Sequence, residues 1–66
     1  MTDSARVKKA RLVFAEVTGV LEDAALIAAE GQAAPDLPAA RRSCDRLLAR
    51  LKSCIEQLQR LRRRLE

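Results

Sequence analysis

The sequence predicts an all-α fold: an antiparallel two-helix hairpin of coiled-coil type that completes a four-helix bundle by dimerising or by docking on a helical partner. Three observations predict it. In the second half Leu37, Ala40, Cys44, Leu47, Leu51, Cys54, Leu58, Leu61 and Leu65 alternate by three and four residues. That spacing holds an apolar stripe on one side of an α-helix. In the first half Val7, Ala10, Phe14, Val17, Leu21, Ala24 and Ala28 make a second stripe. Between them Gly31-Gln32-Ala33-Ala34-Pro35-Asp36-Leu37-Pro38 is the only stretch with glycine and proline together. Two apolar stripes and one breaker make a hairpin.

The elements follow in order, as one domain over residues 1–66. Thr2, Asp3 or Ser4 can each cap a first helix over about 4–30. Gly31 is expected as its left-handed stop residue. Val17, Thr18 and Val20 weaken helix propensity slightly, and Gly19 costs about 1 kcal/mol relative to alanine. The apolar period outweighs them. The turn is expected over 31–37. Asp36 is the expected N-cap of a second helix over about 37–64. Pro38 falls in its first turn, where the missing N–H costs nothing.

In an antiparallel pair, facing residues have position numbers of constant sum, here about 68 for a turn centred near Ala34. The predicted pairs are Ala28–Ala40, Ala24–Cys44, Leu21–Leu47, Val17–Leu51, Phe14–Cys54, Ala10–Leu58 and Val7–Leu61. A shift of seven would also match the stripes, with the turn centred about four residues away. Val13, Val20 and Ile27 flank the first stripe, and Leu48 and Ile55 flank the second. Two helices cannot bury stripes this wide, so these five are expected to meet a partner or a second copy. Leu12 and Leu26 lie on the far side of the first helix.

Size points the same way. A domain of 66 residues makes a thin core, and the usual remedies are disulfides, metals or association. The chain has no histidine and two cysteines, so no metal site or other cofactor is expected. Cys44 and Cys54 are about 15 Å apart on one helix, beyond the roughly 7 Å reach of a disulfide. Free cysteines on an apolar stripe fit a reducing cytoplasm. The longest apolar run, Ala24 to Ala29, is too short to span a bilayer. With no aromatic residue except Phe14, surface binding to a membrane is not expected either. Glu16, Glu22, Asp23 and Glu30 lie on the outer face of the first helix with no histidine or cleft. No catalytic residue, enzyme activity or small-molecule ligand is expected.

The net charge is +4, unevenly placed. Folding the hairpin gathers Arg6, Lys8, Lys9, Arg11, Arg60, Arg62, Arg63 and Arg64 at the terminal end, against Asp3 and Glu66. The turn end holds Glu22, Asp23, Glu30, Asp36 and Asp45 against Arg41, Arg42 and Arg46. Arginines at a helix C-terminus suit the macrodipole. Lysines at a helix N-terminus do not, so the terminal end is a candidate anion-binding site. Without aromatics to stack on bases, recognition of a nucleic acid would rest on its backbone and shape.

The two-stripe architecture resembles small bacterial helical hairpins of two kinds. One is the plasmid-encoded RNA-binding hairpins, a resemblance that implies a homodimeric four-helix bundle. The other is the small co-chaperones of type III secretion, which implies a helical-repeat partner. The functional expectation is a non-enzymatic protein–protein interaction module, an adaptor, regulator or chaperone subunit. Its partner would be a second copy or another helical protein. The alternative is a regulator that binds RNA or DNA through the basic end.

Overall fold

The computed structural model describes residues 3–66. They form two α-helices, α1 (Asp3–Gln32) and α2 (Leu37–Leu65), packed side by side, with no strand among the described residues. The radius of gyration is 15.6 Å, against about 11 Å for a compact domain of this length. The molecule is a flat rod, 53 × 16 × 9 Å along its principal axes.

Sequence explains the helix ends. Asp36 has extended backbone, and its Oδ1 accepts a hydrogen bond from the Ala39 N–H at 2.9 Å. Pro38 follows in the first turn. This is the expected N-cap. Of the three candidate caps of α1, Thr2 lies outside the described residues, and Asp3 and Ser4 lie within the helix. At the other end of the turn the expectation fails. Gly31 lies inside α1, and no described residue has positive φ. The helix closes instead with tightened bonds, Ala33 N–H to Glu30 O at 3.1 Å and Ala34 N–H to Gly31 O at 3.3 Å. Bonds of this i to i−3 kind satisfy terminal carbonyls without a left-handed residue. A Cβ added at Gly31 would stand 3.5 Å from the Ser43 Cβ, an ordinary contact.

The register also differs from the expected one. Glu16 bonds Gln57, Gly31 lies against Ser43, and Glu30 bonds Arg46. Their position numbers add to 73, 74 and 76, close to the alternative seven residues away from the expected sum of about 68. The reason lies in the short linker, residues 33–36, which climbs past the end of α1 before α2 begins. Leu37 therefore stands roughly 9 Å beyond the level of Gly31 and is 84% exposed.

Each helix is rotated by one column relative to the expected seam. The buried residues of α1 are Ala10, Val17, Ala24 and Ile27, with Val13 and Val20 half-buried. Val13, Val20 and Ile27 thus close the hairpin, although they were expected at a partner interface. Val7, Phe14, Leu21 and Ala28, expected in the seam, are exposed. On α2, Cys54 and Leu61 are buried, and Ala40, Ser43, Leu47, Gln57 and Leu58 are half-buried. Cys44 and Leu51, also expected in the seam, are exposed.

The physical cause is the width of the apolar arc. On α1 the residues 7, 10, 14, 17, 21, 24, 28 and the residues 10, 13, 17, 20, 24, 27 are both unbroken three-four alternations. They share Ala10, Val17 and Ala24. A two-helix pair buries only one edge of such an arc. It closes over the valine and isoleucine edge, which leaves the edge with Phe14 and Leu21 open.

Candidate interaction surface

Helical geometry at 100° per residue sets the two open rows on the same side of the hairpin. On α1 the row is Val7, Phe14, Leu21 and Ala28. On α2 it is Leu37, Cys44, Leu51 and Leu65, with Leu58 half-buried in the same column. Both rows flank the seam in the sense that brings them together when the helices run antiparallel. A groove of about 380 Å³ confirms the arrangement at the turn end, since it opens between Ala28 on α1 and Cys44 on α2, over Ile27, Ala40 and Leu47. Phe14, the only aromatic residue, is 52% exposed. Leu48 and Ile55, expected at an interface, extend the apolar surface around the outside of α2 and are both exposed. They border a shallow groove of about 440 Å³ with Leu51 and Lys52.

The opposite broad face is polar. The α1 row Lys9, Glu16, Asp23 and Glu30 lies on the other side of the seam. Glu30 Oε2 pairs with Arg46 Nη1 at 3.0 Å, and Gln57 Nε2 donates to Glu16 Oε2 at 3.3 Å. These bonds tie α1 to α2 across this face. Leu12 and Leu26 stand exposed on the back of α1.

The basic residues gather where expected, although not as one patch. Arg6, Lys9 and Arg64 border a groove of about 370 Å³ with Leu61 and Leu65. Arg60 and Arg64 line a smaller one beside Val13 and Gln57. Lys8, Arg11, Arg62 and Arg63 are exposed at the same end. Arg6 is already engaged. Its Nη2 donates to the Arg64 carbonyl at 2.7 Å, and its Nη1 lies 3.6 Å from Asp3 Oδ1. A guanidinium on the last carbonyls of α2 satisfies orphan acceptors and the negative end of the dipole.

The described residues hold no group of three or more histidine, cysteine, aspartate or glutamate side chains placed to bind a metal ion. Among them, no helix is long and apolar enough to cross a membrane.

The surface area shows how incomplete the burial is. A folded monomer of this mass, 7.3 kDa, exposes about 4,200 Å² by the usual size scaling. This chain exposes 5373 Å². Among the described residues no large side chain is fully buried. Much of the hydrophobic area that would stabilise a domain of this size lies on one broad face instead. The sequence signal for that face is the leucine and cysteine column on α2. Periodicity marks the column as apolar without saying what covers it.

Comparison with protein families, with curated proteins and with solved structures finds no match to this chain.

Proposed function

We propose that the protein is a non-enzymatic protein–protein interaction module, an adaptor, small regulator or chaperone subunit, whose apolar broad face packs on a helical surface. The observation that carries this reading is the exposed double row on one side of the hairpin, Val7, Phe14 and Leu21 beside Leu51 and Leu65. Contiguous apolar surface of this extent marks an association site. Its i, i+7 spacing on two parallel ridges fits the grooves of other helices rather than a flat membrane or a small ligand.

Charge on that face tests the reading. Leu51→Asp and Ile55→Asp should abolish association, with a second copy or with a helical partner, while circular dichroism still reports a helical chain. Val20→Asp is the wrong probe, because Val20 lies in the hairpin's own seam and its loss would unfold the molecule. If the native chain associates with nothing and both aspartate variants behave identically to it, the reading fails.

A second reading rests on the groove flanked by Arg6, Lys9 and Arg64. Contact there with a nucleic-acid backbone would show as a log affinity that falls with log salt by nearly one unit per phosphate. Replacing Arg62, Arg63 and Arg64 with glutamine would flatten that slope. No binding of RNA or DNA at low salt would leave the protein-binding reading alone.

A further inference from the structure

We infer that the apolar face is covered by a second copy of this chain, packed face to face with its long axis reversed, so that Phe14 of each copy fills the turn-end groove of the other. The inference rests on the proposal that this face is a docking surface, and it names the occupant. Four observations carry it.

The first is area. The broad side of the rod that carries the face measures 53 by 16 Å, room for the roughly 800 Å² that each partner contributes to a standard interface. The exposed surface beyond that of a compact monomer is also of this order.

The second is shape. Bulk is unevenly placed along the face. Val7, Phe14, Leu58 and Leu65 lie toward the terminal end, whereas Ala28 and Cys44 lie toward the turn, with Leu37 exposed beyond them at its tip. The groove of about 380 Å³ opens among those smaller residues. A second copy in the same direction would set bulk on bulk and groove on groove. A reversed copy sets bulk against groove at both ends, as close packing requires.

The third is position. Phe14 and Ala28 lie equally far along α1 from Leu21, one heptad to either side. A two-fold axis through Leu21, perpendicular to the rod, therefore brings Phe14 of one copy onto Ala28 of the other. Leu21 then meets its own symmetry mate. The same axis lies near the middle of the stretch where α1 and α2 run side by side, so the overlap is nearly complete.

The fourth is charge. The terminal end carries eight cations against two carboxylates, whereas the turn half is balanced, with Glu22, Asp23, Glu30, Asp36 and Asp45 against Arg41, Arg42, Arg46, Arg50 and Lys52. A reversed copy separates the two basic ends and sets each over a neutral turn half. A copy in the same direction would set like on like, which costs association both affinity and rate.

The experiment uses the native thiol. Cys44 is exposed and Cys54 is buried, so a spin label on the Cys54→Ala chain reports from position 44. Ser43 lies level with Gly31, which places Cys44 near the level of Glu30. The two-fold then sets the labelled pair roughly 27 Å apart along the rod, whereas a copy in the same direction would bring them within about 10–15 Å.

Sedimentation equilibrium should give a dimer, the label separation should match the longer distance, and Phe14→Ala should weaken the dimer about tenfold or more, as an interface anchor does. Because Phe14 is exposed in the single hairpin, this variant tests association without unfolding the chain. A dimer with the short label distance, or one that Phe14→Ala leaves unchanged, would overturn the reversed packing and leave the docking face in place. A chain that stays monomeric and binds only a foreign helical protein through Leu51 and Ile55 would overturn the second copy as occupant. A monomer indifferent to Leu51→Asp would overturn both the inference and the proposal beneath it.

Discussion

Two residues sit at odds with their surroundings, and each makes a prediction. Gly19 lies in the interior of α1, and a Cβ built there meets nothing within 4 Å. It therefore bears the entropic cost of a helical glycine with no packing reason for it. Gly19→Ala should raise stability by about 1 kcal/mol, which in a domain this small moves the melting temperature by about 4–8 °C. Calorimetry checks it. The second is Gln57. Its Nε2 bonds Glu16, but its Oε1 is buried with no donor in reach. An orphaned acceptor of this kind costs about 1–3 kcal/mol. Gln57→Leu removes the orphan, extends the apolar seam and returns the exposed Glu16 carboxylate to water. The variant should melt higher than the native chain, and an unchanged or lower melting temperature would show that the amide is better satisfied than its geometry indicates.

At the scale of elements, the two helices differ in what defines them. α2 has a strong start, with the Asp36 carboxylate on the Ala39 N–H and Pro38 just inside. Asp36→Ala should destabilise the hairpin by about 1 kcal/mol, and amide exchange in the first turn of α2 should accelerate before exchange in its middle. The arginines of its last turn, Arg62, Arg63 and Arg64, favour the dipole at the other end. α1 ends without a left-handed cap and depends on packing beside Ser43 for its last turn. The Glu30–Arg46 bridge near that turn is more than half exposed on both sides. Pairs of this kind contribute about 0–1 kcal/mol, so this one aligns the helices more than it stabilises them.

At the scale of the whole molecule, the division between seam and open face separates two kinds of stability. Ile27 is 4% exposed in the seam, and Leu51 is 37% exposed on the face. Ile27→Ala should cost at least about 2 kcal/mol at every protein concentration. Leu51→Ala should act mainly through association. The native melting temperature should rise with concentration, as it does when binding favours the folded state, and Leu51→Ala should flatten that rise. Thermal melts across a hundredfold range of concentration distinguish the two. Equal losses at all concentrations would place Leu51 in the hairpin's own core.

The fold was legible because its signals are local. Period, cap chemistry and a single proline-glycine break define two helices and their antiparallel order. Asp36 and Pro38 placed the start of α2 without reference to anything distant. What the sequence left open was which edge of each apolar arc would close. Ala10, Val17 and Ala24 belong to two unbroken heptads, one through Phe14 and Leu21, the other through Val13, Val20 and Ile27. On α2, residues Ala40, Leu47, Cys54 and Leu61 are likewise flanked by one column of leucine and cysteine and another of Ser43, Arg50 and Gln57. A heptad repeats every seven residues, so it fixes an apolar face only up to a neighbouring column and a shift of one repeat. Amino-acid type favours the leucine column, and sequence reading follows it. The tertiary structure turns both helices the other way, because a single hairpin can bury one edge only, and this rotation also brings Glu30 to Arg46 and Glu16 to Gln57. By itself the sequence determined two helices, the second capped by Asp36, with more apolar surface than they can hide from water. The tertiary structure decided where the surplus lies: on one broad face, because closing the seam over Val13, Val20 and Ile27 of α1 and over Ser43 and Gln57 of α2 leaves the phenylalanine and leucine edges side by side.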